Sequence, residues 1–148
     1  IKRSASGAYD IFGDKVYSPI IDKGEADIIL AFELLEAYRA LPYLKKNGTI
    51  IINNQKINPM PVIIGATEYP TDIEKKIAEV ANMKCFDAVS LAKEAGNIKA
   101  VNVVLIGVMA KNTDIAYEKW VEVIKSTVPA KLLDVNLKAF DLGYNLNK

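Results

Sequence analysis

Apolar residues fall first in short unbroken runs and later at helical spacing. Asp27-Ile28-Ile29-Leu30-Ala31-Phe32 is a nearly continuous apolar run of strand length. Its lack of alternation predicts a central parallel strand covered on both faces. Residues 33–40 are rich in strong helix formers, and Pro42 ends or kinks that helix. Lys45-Lys46-Asn47-Gly48 reads as a turn, and Thr49-Ile50-Ile51-Ile52-Asn53 as a second buried strand. Strand, helix and strand in so short a span imply a right-handed βαβ crossover.

Before this unit, residues 8–12 and 15–21 flank Gly13-Asp14, a pair suited to a tight turn, which predicts a β-hairpin. Pro19 would mark its edge or end. After the unit, Asn58-Pro59-Met60-Pro61 is expected to be extended and irregular. Thr71-Asp72-Ile73-Glu74 has the form of a capping box, followed on one helix face by Ile77, Val80 and Ala81. Residues 84–87 read as a short strand and residues 90–95 as a helix ended by Gly96.

Asn97 is placed to cap a further helix, whose residues 100–110 are apolar all round except for Asn102 and so are expected to be buried. Ala116, Trp120, Val123 and Ile124 make one later amphipathic face, and Leu133, Leu137 and Phe140 another. Strands alternating with helices, then helices alone, predict one α/β domain over residues 1–148. It has a mostly parallel sheet, flanking helices and a helical C-terminal part.

Composition narrows the chemistry. The 148 residues suit one hydrophobic core, and half of them are apolar, which excludes wholesale disorder. A net charge of +1, without a basic cluster, leaves no electrostatic footprint for nucleic acid. There is no histidine and Cys85 is the single cysteine, which removes a disulfide framework, a zinc site and His-based triads. One thiolate also cannot hold an iron–sulfur cluster. Among apolar neighbours, Cys85 is expected to be buried and inert. The longest apolar stretch is too short to span a bilayer and no signal-peptide pattern opens the chain, so the cytoplasm is the expected compartment.

In an open parallel sheet, ligands gather at the carboxyl ends of the strands, here Phe32-Glu33 and Asn53-Asn54-Gln55. The three amides either face a ligand or partner, or simply satisfy loop backbone groups. Asn97 and Lys99 open a buried helix, where an anion can bind, although capping alone also explains Asn97. Asn102, on an apolar helix, should need a hydrogen-bond partner. Gly13-Asp14 and Asn53-Asn54 are too far apart and wrongly set for a thiamine diphosphate signature. No Gly-rich phosphate loop is present, which weakens an independent nicotinamide dehydrogenase. No catalytic constellation and no metal site emerge.

The string Gly13-Asp14-Lys15-Val16-Tyr17-Ser18-Pro19-Ile20-Ile21 is followed by Gly24-Glu25-Ala26-Asp27 and Ala31-Phe32-Glu33. Further on stand Ala40-Leu41-Pro42-Tyr43-Leu44, Gly48-Thr49, Asn53-Asn54-Gln55, Ala95-Gly96-Asn97 and Lys99-Ala100-Val101-Asn102. Together they resemble the gamma-type domain of the 2-oxoacid:ferredoxin oxidoreductases, with the nearest likeness to the indolepyruvate-using members. The likeness implies a Rossmann-like, doubly wound sheet lacking its first strand and Gly-rich turn. The family often carries Arg-Gly-Gly and a later His-x-Arg, where this chain has Lys2-Arg3-Ser4-Ala5-Ser6 and Tyr9-Asp10-Ile11.

The resemblance further implies a division of labour. Thiamine diphosphate, magnesium and [4Fe-4S] clusters would sit on an alpha subunit, coenzyme A would be co-substrate, and ferredoxin would take the electrons. This chain would then bind no cofactor, contribute no catalytic residue and be inactive alone. The competing expectation is a non-enzymatic ligand-binding or assembly module of the same fold.

Overall fold

The computed structural model describes residues 2–4, 7–18 and 20–146, with only the backbone course given for residues 2–4 and 7–9. Two short strands, β1 (Lys2–Ser4) and β2 (Gly7–Tyr9), pair antiparallel. The main sheet is β3 (Ala26–Ala31), β4 (Leu44–Asn53) and β5 (Asn82–Phe86), parallel and in that spatial order. The helices are α1 (Leu34–Ala40), α2 (Met60–Ile63), α3 (Ile73–Ala78), α4 (Ala88–Ala95), α5 (Val101–Lys111), α6 (Tyr117–Thr127) and α7 (Leu133–Tyr144). The expected α/β class, parallel sheet and helical C-terminal part are borne out.

Strand β4 supplies the centre. Side chains alternate across a strand, so Ile50 and Ile52 join Leu34, Leu35, Ile73 and Ile77 in the layer under α1 and α3. Ile51 points the other way and joins Phe86, Val104, Leu105 and Phe140 in the layer of α4, α5 and α7. All three isoleucines are fully buried. Helices on both faces explain why an unbroken apolar run, rather than an alternating one, codes this strand.

Several expectations are corrected. Strand β3 was expected at the centre, but it pairs only with β4 among the described residues, and Ile28, Ile29 and Leu30 are half-buried. The hairpin expected over residues 8–21 is not formed: the antiparallel pairing lies earlier, and residues 10–18 carry no strand. Gly13 has φ +155° while Asp14 is not at positive φ, so the pair does not make the two-residue turn that needs positive φ at both positions. Pro19 lies outside the described residues.

Lys45 to Gly48 do not interrupt β4. They form an irregularity within it, since Ala26 pairs with Leu44 but Ile28 already pairs with Thr49, and Asn47 takes φ +65°. Met60 and Pro61 are helical rather than extended, because Pro59 is the N-cap of α2 and proline is tolerated in a first helical turn. The capping box at Thr71 is absent. Asp72 caps α3 at φ +59° without a side-chain bond; the helix ends at Ala78, and Val80, beyond its C-terminal end, is exposed. On α6, Val123 is exposed, and Tyr117 and Val121 pack inward beside Trp120 and Ile124.

The second half follows its sequence more closely. Gly96 ends α4 at φ +112°, and the Asn97 side chain accepts from the Lys99 backbone N–H at 2.9 Å, capping the short 3-10 turn Ile98–Ala100 that leads into α5. Helix α5 buries Val103, Val104, Leu105, Gly107, Val108 and Ala110.

Candidate functional site

The loops at the carboxyl ends of β3, β4 and β5 are tied into one network. Asn53, almost fully buried, ends β4. Its Nδ2 donates to the Phe32 carbonyl at 3.1 Å, and its Oδ1 accepts from the Ala88 N–H at 3.1 Å. One amide therefore joins the end of β3 to the start of α4, across the sheet. The Leu34 N–H donates to the Gln55 carbonyl at 3.1 Å and the Asn54 N–H to the Phe86 carbonyl at 2.9 Å.

Glu33 is the second buried polar residue among those described. It is the N-cap of α1, where its Oε2 accepts from the Glu36 N–H at 3.0 Å. Its Oε1 accepts from the Ile57 N–H at 3.1 Å and from the Tyr69 hydroxyl at 2.5 Å. Burial, then the hydrogen bond and negative charge of Glu33, push the Tyr69 phenol up to about 12. Beside it lies a cavity of about 300 Å³, lined by Leu34, Lys56, Tyr69, Pro70, Asp72, Ile73, Glu74 and Lys75. Two lysines and two carboxylates on its walls leave it without a dominant sign.

The predicted site residues divide accordingly. Asn53 and Glu33 stand at the expected strand ends, but their polar atoms are spent on the protein's own backbone, on Tyr69 and on Gln55, whose Oε1 accepts from the Asn53 Nδ2 at 3.4 Å. Asn54 and Gln55 are exposed at the same edge. Asn97, Lys99 and Asn102 do not join them. Helix α4 starts beside Asn53 and runs away from it for eight residues, roughly 12 Å at the helical rise per residue. Asn102 points to solvent, so the partner expected for it is not needed. Tyr69 and Lys56 escaped sequence reasoning, since nothing local marks a tyrosine that bonds a glutamate 36 residues away.

Other chemistry is sparse. Asp87 caps α4, and hydrogen bonds from Ser90 hold its carboxyl below the usual carboxylate range. Burial, with a smaller contribution from Glu74, pushes the Cys85 thiol up to about 11, in line with the expected inert cysteine. Among the described residues, no three His, Cys, Asp or Glu side chains gather to hold a metal, and no helix is long and apolar enough to cross a membrane. One half-buried cysteine does not fit an iron–sulfur cluster.

Residues 3–146 match the family described as pyruvate ferredoxin/flavodoxin oxidoreductase. The chain belongs to that family. Within the pyruvate ferredoxin/flavodoxin oxidoreductase family, it is 44% identical over 147 residues to the indolepyruvate oxidoreductase subunit IorB of Thermococcus kodakarensis, covering 95% of this chain and 73% of the relative. The same subunit of Pyrococcus horikoshii is similar to the same extent. The fold also resembles the crystal structure of a keto/oxoacid ferredoxin oxidoreductase gamma subunit from Geobacter sulfurreducens. That likeness has a TM-score of 0.60 at 22% identity, and covers 84% of this chain and 66% of that one. The resemblance read from the sequence is borne out at the level of family and fold.

Proposed function

We propose that the chain is the cofactor-free subunit of a cytoplasmic 2-oxoacid:ferredoxin oxidoreductase that uses indolepyruvate or another arylpyruvate. The observation that carries this reading is the 44% identity, over 95% of the chain, to relatives named as a subunit of indolepyruvate oxidoreductase. In this reading residues 1–148 act as one gamma-type domain, and an alpha subunit carries thiamine diphosphate, magnesium and [4Fe-4S] clusters. The complex oxidatively decarboxylates the 2-oxoacid, with coenzyme A accepting the acyl group and ferredoxin the electrons.

The carboxyl-end network suits such a supporting role. Glu33 and Asn53 fix the loop backbone, which leaves Asn54 at the exposed rim, with Gln55 beside it held through its Oε1 by Asn53, as the groups that face ligand or partner. Asn97, Lys99 and Asn102 lie on a second surface, away from that rim, and are assigned to partner contact.

The test is to co-express the full-length chain with the alpha subunit and purify through a tag on this chain. Indolepyruvate- and coenzyme A-dependent reduction of a viologen dye is then assayed, with ferredoxin as the second acceptor. The expected product is a brown active complex, with the chain alone colourless and inactive. A chain that purifies alone and supports no 2-oxoacid oxidation would overturn the oxidoreductase reading in favour of a non-enzymatic binding module.

A further inference from the structure

Residues 57–67 contain no charged side chain, in a protein where a quarter of the residues are charged. Within this segment helix α2 makes a single turn, and Met60, Ile63 and Ile64 follow the i, i+3, i+4 spacing that places side chains on one helix face. They are 67%, 65% and 70% exposed, while Val62 between them is half-buried. A folded domain has no reason of its own to hold three large apolar side chains in water on one turn. Depletion of charge around an apolar centre is the compositional mark of an interface core.

The turn is also held in shape. The Ile64 N–H donates to the Met60 carbonyl at 3.0 Å, and Gly65, at φ +74°, turns the chain so that Ala66 N–H reaches the Pro61 carbonyl at 2.8 Å. One atom ties down the start of the segment and the chain just beyond its end, since Glu33 Oε1 accepts from the Ile57 N–H and from the Tyr69 hydroxyl. A surface fixed before binding loses less conformational entropy on docking, which favours a preformed recognition ridge over a wandering loop.

We propose that Met60, Ile63 and Ile64 form a docking ridge for an uncharged, apolar concavity on the large subunit of the complex. The proposal rests on the subunit reading given above. That reading supplies the occupant, a different polypeptide, and the missing charge on the ridge fixes the chemistry of the surface that receives it. The exposed apolar side chains between Ile11 and Ile20, by contrast, are interspersed with Asp14 and Lys15.

The experiment co-expresses the full-length chain with the large subunit and reads the amount captured through a tag on this chain. Ile63→Lys/Ile64→Lys is compared with wild type and with Val80→Lys, a control at a residue 65% exposed elsewhere. The expected result is an at least tenfold loss of captured large subunit for the double variant, none for the control, and an unchanged melting curve of the isolated chain. Should the double variant misfold, Ile64→Lys alone is read in its place. Equal capture by variant and wild type would overturn the ridge while leaving the subunit reading intact. A wild-type chain that never captures the large subunit would end both. A wild-type homodimer that the double variant splits would replace the occupant with a second copy of this chain.

Discussion

Gly107 on α5 and Gly143 on α7 lie where the two helices touch backbone to backbone. A Cβ on Gly107 would run into the Phe140 carbonyl oxygen and come within 2.8 Å of the Tyr144 nitrogen, and one on Gly143 would run into the Val104 carbonyl oxygen. Both obstacles are backbone atoms, which cannot swing aside as a side chain would. This crossing seats Phe140 fully buried against Val104 and Leu105, and so sets the layer that covers one face of the sheet.

Gly143→Ala should therefore destabilise the protein, although alanine is the better helix former. The gain in helix propensity is about 1 kcal/mol, whereas forcing an extra methyl into a packed contact costs about 1–3 kcal/mol or more. Because the clash is with a rigid carbonyl, the loss should prevail. A lower midpoint in urea with an unchanged slope would bear this out, and an unchanged or raised midpoint would show that the helices separate at little cost.

Asn53 and Asn54 are neighbours in sequence with opposite expected responses. Asn53→Ala leaves the buried Ala88 N–H without its partner, at about 1–3 kcal/mol, and also frees the Phe32 carbonyl, which is only part-buried and costs less. Asn54→Ala, at an exposed position, should stay within about 0.5 kcal/mol of wild type. Paired denaturation curves of the two variants measure the difference. Equal effects would mean that the Asn53 amide is not what joins β3 to α4.

This contrast also marks how far the sequence could be read. Contiguous apolar residues reveal Ile50, Ile51 and Ile52 as a buried strand because burial on both faces leaves a local trace. Gly96 and Asn97 are legible for the same reason, since a helix stop and a cap are set by residues next to them. The division of Asn53, Asn54 and Gln55 into one buried tie and two exposed amides is not legible, because their types are alike and only the fold separates them. The Glu33–Tyr69 bond spans 36 positions and leaves no periodicity behind. Thr71-Asp72-Ile73-Glu74 misleads in the opposite way, offering a local cap that the left-handed backbone at Asp72 does not use.

Cys85 should react slowly in the folded protein. Burial raises its thiol from 9.0 to about 11, which lowers the reactive thiolate on the order of 100-fold at neutral to mildly alkaline pH. Mixing with an aromatic disulfide reagent at pH 8, native and then in denaturant, gives the comparison directly. A native rate equal to the unfolded rate would show that Cys85 is open to solvent.

Two phenols should make the protein sensitive to strong alkali. Tyr117 donates to Asp141 Oδ1 at 2.6 Å, and that bond, then burial, pushes its hydroxyl up to about 12; Tyr69 reaches about 12 through burial and Glu33. A group whose folded value is raised favours the fold while it stays protonated. Its contribution is complete below pH 10, the value in the unfolded chain, and is lost as pH climbs through 12. Phenolate absorbance followed against pH should resolve a late-titrating class in the wild type that Tyr117→Phe and Tyr69→Phe each diminish. The double variant should lose stability less steeply between pH 10 and 12 than the wild type. Titration of every tyrosine near pH 10 would remove the basis for this alkaline limit, and with it the view that Asp141 and Glu33 hold those hydroxyls in the folded state.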